Sequence, residues 1–154
     1  MAVNPASKSP VGVFDSGVGG LSILQALQRE LPNENFVYMA DSAHAPYGER
    51  DAAFVLERAK TIWHTLRDEH HVKALVIACN TAASVGTEVL RASYPNIPII
   101  GVIEPGASAA VSHTKNGHVA VIATESTVAA GSYVRAIHAL NPDIEVRTSA
   151  CSLF

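Results

Sequence analysis

Only two cysteines, Cys79 and Cys151, occur in the 154 residues, too few for the disulfide framework of a small secreted scaffold, so free thiols are expected. An excess of positive charge is also lacking. Eleven Lys and Arg stand against 14 Asp and Glu, a formal net charge of -3, and the basic residues are scattered singly. That pattern leaves no electrostatic footprint for a nucleic acid or an anionic membrane surface. No apolar run is long enough to cross a bilayer, and the first ten residues, ending Ser7-Lys8-Ser9-Pro10, lack the apolar core of a signal peptide. A cytoplasmic protein is therefore expected. None of the seven histidines falls in a His-Glu-x-x-His pattern or beside a cysteine at zinc-ligand spacing, so a metal site is not expected. What is present, 48% hydrophobic and 16% charged residues, suits a globular α/β chain with a sizeable core and a small, mixed-charge ligand.

Short apolar, β-branched runs read as strands: Val11-Phe14, Phe36-Ala40, Ala74-Ala78, Ile97-Ile103, His118-Ala123 and Ile144-Thr148. Between them, Leu21, Leu24, Leu27 and Leu31 recur at helical spacing, as do Val55, Ala59, Ile62 and Leu66. Ala82-Ala92 and Thr127-Leu140 also read as helices. Strands that are apolar almost throughout are those buried on both faces, so the alternation predicts a parallel sheet flanked by helices. In such sheets ligands sit outside the carboxyl ends of the strands, where loops lead into helix N-termini. Pro95 and Pro98 interrupt the helix pattern and mark a candidate domain seam.

Two segments at that edge invite chemistry. After the first strand comes Asp15-Ser16-Gly17-Val18-Gly19-Gly20, whose glycines permit a sharp turn and whose following helix offers free N–H groups to an anion. A plain helix cap explains the same residues. The pattern fits a dinucleotide loop poorly, since Ser22 stands where glycine is needed, and no P-loop lysine follows. After the third strand comes Cys79-Asn80-Thr81-Ala82. A thiol there faces a helix start, where the dipole and unpaired N–H groups favour an anion, and Asn80 and Thr81 add an amide and a hydroxyl. A small buried hydrophobe is the competing reading of Cys79.

Two weaker segments lie near the same edge. Asp41-Ser42-Ala43-His44-Ala45-Pro46-Tyr47-Gly48 presents a phenol and a backbone N–H, although turn chemistry accounts for most of it. Thr124-Glu125-Ser126-Thr127 is a hydroxyl-rich helix start that can receive an ammonium or a carboxylate, or simply cap the helix. Cys151 and the remaining histidines read as packing or surface residues.

Taken together and in order, Asp15-Ser16-Gly17-Val18-Gly19-Gly20, Pro46-Tyr47-Gly48, Cys79-Asn80-Thr81-Ala82 and Thr124-Glu125-Ser126-Thr127 resemble the motifs of bacterial glutamate racemases. Pro105-Gly106-Ala107 and Asn141-Pro142-Asp143 are similar to the same family. The resemblance implies two-base racemisation without pyridoxal phosphate or metal, in which one cysteine removes the Cα proton and a second delivers one to the opposite face. It implies that Cys79 is the catalytic thiol acting on D-glutamate and that Asp15 assists it. Asp15, Ser16, Tyr47, Gly48, Asn80, Thr81, Thr124 and Thr127 would hold the substrate glutamate. The family's second motif, Cys-Thr-His-Tyr-Pro, does not occur in this sequence.

On that likeness the expected layout is a tail over 1–10, a first α/β domain over 11–97 lacking its returning segment, and an incomplete second α/β domain over 98–154. The expected function is a glutamate racemase supplying D-glutamate for peptidoglycan, shortened and unable to racemise by itself. Exposed apolar sheet surface would favour self-association, a homodimer included. The alternatives are a catalytically silent carboxylate-binding module and a thiol-dependent hydrolase or transferase with Cys79 as nucleophile.

Overall fold

A computed structural model describes residues 8–151; residues 1–7 of the expected tail, and residues 152–154, lie outside them. Four parallel strands form the larger sheet: β1 (Val11–Asp15), β2 (Phe36–Ala40), β3 (Ala74–Ile77) and β4 (Ile99–Gly101), in the order β2-β1-β3-β4. Phe14, Leu75 and Ile77 point to one face, where they meet α2 (Ala52–Asp68) and α3 (Asn80–Ser93) in the main core around Trp63, Leu66 and Leu90. Val11, Val13 and Val76 point to the other, where Ile23, Leu24 and Leu27 of α1 (Leu21–Glu30) cover them. This two-sided burial is why β1 carries no polar residue before Asp15.

Local chemistry starts and stops these helices. The Asp51 carboxylate accepts the Phe54 N–H at 2.7 Å and caps α2, while Val55, Ala59, Ile62 and Leu66 keep one stripe of that helix buried. Fully burying a side chain the size of Leu66 contributes about 2–3 kcal/mol, so α2 is held by its stripe rather than by propensity.

The second sheet is parallel and, among the described residues, has two strands, β5 (His118–Ala123) and β6 (Glu145–Ala150). Val119, Val121 and Val146 pack on a small core built by Ala107, Ile137 and Ile144, supplied by α4 (Ile103–His113), α6 (Ser132–Leu140) and the turn before β6. His118, Ala120 and Ile122, alternating with them, are exposed. The expectation of strands buried on both faces therefore holds for β1 and β3 and fails for this pair.

Three further differences have physical causes. The seam expected between residues 97 and 98 precedes a strand that bonds into the first sheet, with Leu75 opposite Ile99 and Ile77 opposite Gly101; the change of sheet falls after Gly101. Residues 103–113, of which only Ile103 fell in an expected element, the strand over 97–103, form α4. Pro105 sits in its first turn, where no N–H partner is needed, and Gly106 lets Tyr133 approach, since a Cβ there would lie 3.1 Å from the phenol oxygen. The helix expected over 127–140 is two helices, α5 (Glu125–Ala130) and α6, broken where Gly131 adopts φ 65. Among the described residues no helix is long and apolar enough to cross a membrane.

Candidate active site

The carboxyl ends of β1 and β3, the 45–48 loop, the ends of the strands over 99–101 and 118–123 and the residues that start the helix after them border a cleft of about 590 Å³. Asp15, Ser16, Tyr47, Gly48, Cys79, Asn80, Thr81, Thr124 and Thr127 all border it, so every site residue expected from the sequence lies on one cavity. The sheet explains the convergence. Asp15 ends β1 and Cys79 follows β3, its immediate neighbour, and the two strands stay in step through the Ala78 N–H bond to the Phe14 carbonyl at 2.8 Å. Both loops must therefore emerge side by side.

Cys79 is the N-cap of α3, its sulfur accepting from the Ala82 N–H at 3.5 Å. The same sulfur lies 3.4 Å from the Ser16 hydroxyl oxygen. Only 7% of the residue is exposed, yet it borders the cleft; both sequence readings of this residue describe part of what is seen. The second cysteine, Cys151, does not border it.

Asp15 is 6% exposed and is held by donors from its own loop. Its Oδ2 accepts from the Gly17 N–H at 3.0 Å and the Gly20 N–H at 3.1 Å. A Cβ on Gly20 would lie 2.7 Å from Asp15 Cβ and 2.9 Å from Ala78 Cβ, so only glycine lets α1 start against that carboxylate. Tyr38, from β2, donates to the Gly17 carbonyl at 3.0 Å, with its oxygen 3.5 Å from Asp15 Oδ2. Burial, and then the Asp15 charge, push the Tyr38 phenol up to about 12, which keeps it a donor at any ordinary pH.

A second buried carboxylate anchors the 45–48 loop. Asp41 accepts from Tyr47 Oη at 2.5 Å, from Arg58 Nε and Nη2 at 2.8 and 2.9 Å, and meets His44 Nδ1 at 2.9 Å. Burial alone would raise this carboxyl, but the hydrogen bonds from Arg58, Tyr47 and His44 outweigh it and hold the group at about 2. Burial and the Asp41 charge push the Tyr47 phenol far upward. The phenol expected to meet a ligand is thus engaged elsewhere: Tyr47 is 1% exposed, and its side chain fixes the loop that borders the cleft.

Three threonines close the opposite wall. The hydroxyl oxygens of Thr81 and Thr124 are 3.1 Å apart, those of Thr81 and Thr127 3.1 Å, and those of Thr124 and Thr127 2.9 Å. Thr124 also caps α5 through the Thr127 N–H. This ring, with the Tyr133 hydroxyl donating to Asn80 Oδ1 at 2.7 Å and the Ser126 N–H to the Gly48 carbonyl at 3.1 Å, ties the second sheet's helices to the first. The lining contains no lysine, arginine or histidine among the described residues, so an anion there must be met by hydroxyls and by the N-termini of α1 and α3. It also means that Cys79 has no histidine partner in the cleft, as the hydrolase reading would require.

Sequence reasoning passed over Tyr38, Asp41, Arg58 and Tyr133. Asp41 was the legible one, because it follows β2 as Asp15 ends β1; the others depend on pairings that only the fold creates.

A family model described as Asp/Glu/hydantoin racemase matches residues 12–152. Glutamate racemase of a Neisseria meningitidis serogroup C strain is 45% identical over 150 residues, covering 97% of this chain and 55% of that protein. The glutamate racemase of Levilactobacillus brevis is 47% identical over 142 residues, covering 92% and 51%. Among solved structures, a glutamate racemase isoform from Bacillus anthracis superposes with a TM-score of 0.91 at 40% identity, covering 95% of this chain and 54% of that one. Glutamate racemase from Francisella tularensis in complex with D-glutamate gives 0.88 at 39% identity, covering 96% and 55%. The chain thus spans about half the length of the relatives it matches.

Proposed function

Because the chain belongs to the Asp/Glu/hydantoin racemase family, we propose that its cleft is one proton-transfer face of a cofactor-independent glutamate racemase. Cys79 is the acid and base. Its thiolate takes the Cα proton of D-glutamate, and the resulting thiol returns a proton to the same face. Asp15 supports that exchange, and Ser16, Asn80, Thr81, Thr124 and Thr127, with the backbone of Tyr47 and Gly48, hold the two carboxylates and the ammonium group.

The observation that carries this reading is the junction of the first and third strands. A sulfur 3.4 Å from a serine hydroxyl stands beside a clamped carboxylate, in a cleft bordered by neutral donors and the starts of α1 and α3. A Cα–H is a far weaker acid than a thiol, so the developing carbanion needs preorganised donors around the α-carboxylate, and such donors act most strongly where water is thin. Inversion needs a second proton donor on the far side of the carbon, and Cys151 lies outside the cleft. The 154 residues by themselves therefore exchange the α-hydrogen without inverting the centre. Within the whole protein the reaction would supply D-glutamate for the cell wall, in the cytoplasm, with a homodimer as the expected assembly.

The test is D-glutamate in deuterium oxide with this chain, followed by mass spectrometry. A gain of one deuterium, abolished by Cys79→Ala in a chain that still melts cooperatively, supports the assignment. Incorporation that survives Cys79→Ala removes the thiol from the mechanism.

A further inference from the structure

Tyr38 stands outside the cleft lining, yet it contacts both ends of the segment that presents Asp15. Its single hydroxyl hydrogen faces two acceptors, the Gly17 carbonyl at 3.0 Å and Asp15 Oδ2 at 3.5 Å. The Gly17 N–H in turn bonds Asp15 Oδ2. The Gly17 residue is thereby gripped on both sides, and Asp15 Oδ2 is surrounded by the Gly17 and Gly20 N–H groups and the phenol. One carboxylate oxygen is saturated by the protein, which leaves Oδ1 as the acceptor with capacity for a ligand or for the reacting centre.

We propose that Tyr38 is a positioning residue for proton transfer: it fixes the rotation of the Asp15 carboxylate so that Oδ1 alone serves the Cys79 side of the cleft. The proposal rests on the functional reading above and deepens it. The ring of Tyr38 packs against the Val11, Val13, Val76 and Ala78 cluster on the α1 side of the sheet, so the phenol is delivered by a strand rather than by a mobile loop. Register supports the same view, since Tyr38 is the partner of Val13 on β1, two residues before Asp15. A phenol is suited to the task because it remains protonated across the working pH range while adding no charge beside the reacting thiol.

The experiment compares the wild-type chain with Tyr38→Phe, which keeps the packed ring and removes the hydroxyl, and with Tyr38→Leu as a second hydroxyl-free replacement. Deuterium incorporation into D-glutamate is measured against substrate concentration, with thermal melting as the fold control. At saturating D-glutamate the rate should fall roughly five- to tenfold, the worth of one ordinary hydrogen bond, while the half-saturation concentration stays within about twofold. A merely structural role would instead change the rate and the half-saturation concentration together. An unchanged rate, or a loss confined to substrate affinity, overturns the proposal. Absence of exchange in the wild-type chain instead overturns the functional reading, and the two failures are distinguishable by that control.

Discussion

Gly48→Ala is the substitution whose cost can be worked most directly from the structure. A Cβ at this position would lie 2.5 Å from Thr124 Cγ2 and 2.7 Å from Thr124 Cβ, about 1 Å inside ordinary carbon contact. Thr124 cannot rotate away cheaply, because its hydroxyl meets Thr81 and Thr127 and accepts the Thr127 N–H. Nor can residue 48 withdraw, since its carbonyl takes the Ser126 N–H. The strain therefore falls on the seam between the 45–48 loop and α5, at the upper end of the usual overpacking cost, about 2–3 kcal/mol. For a chain of this size that corresponds to a melting temperature lower by roughly 4–12 °C. Urea unfolding and thermal melts read the loss, and D-glutamate titration should weaken in parallel because the seam is a wall of the cleft.

Thr124→Ser in the Gly48→Ala background removes the clashing methyl and keeps the hydroxyl, while the contact to Cβ remains. The double variant should regain about half the loss, a coupling of about 1 kcal/mol. Gly48→Ala within about 0.5 kcal/mol of wild type, or no coupling with Thr124→Ser, would refute this account of how the loop meets α5.

Acid unfolding should expose Asp41. Its carboxyl is held at about 2 against an ordinary 3.8, a depressed value, so the stabilisation is complete above the ordinary value and is lost as pH falls from about 4 through about 2. The contribution is about 2 kcal/mol, and Asp41→Asn should flatten stability across that window; an unaltered acid profile would contradict the latch. Gly131→Ala forces a side chain into a left-handed conformation and should cost about 1–2 kcal/mol by chemical denaturation, with Gly131→Asn costing less because asparagine tolerates that region. Equal losses for the two would show that the cost comes from packing rather than from backbone strain.

The legible parts of this protein were those fixed by short-range pattern. The runs 36–40 and 118–123 are strands with the bounds that their apolar residues suggest, and the α2 stripe lies buried as its spacing implies. The site residues were legible as segments because each stands where a strand ends and a helix or loop begins. What failed was set by tertiary context. In α4 small alanines blur the apolar periodicity and Pro105 and Gly106 near its start read as a turn, so local pattern does not announce it; Tyr133 packs beside Gly106. β6 reads as an apolar run only at its edge, because the buried residue is Ile144, just before the strand, while most of β6 faces outward. Tyr47 looked like a ligand-facing phenol, and nothing local reveals that Asp41, itself held by Arg58, claims it.

Stereochemical course tests the central claim most directly. D- and L-glutamate are each incubated in deuterium oxide with the 154-residue chain, and the products are resolved on a chiral column with mass detection. A proton-transfer face served by Cys79 alone predicts deuterium entering D-glutamate with retained configuration and none entering L-glutamate. Equal labelling of both enantiomers, or appearance of the opposite one, would contradict a site with a single reacting thiol.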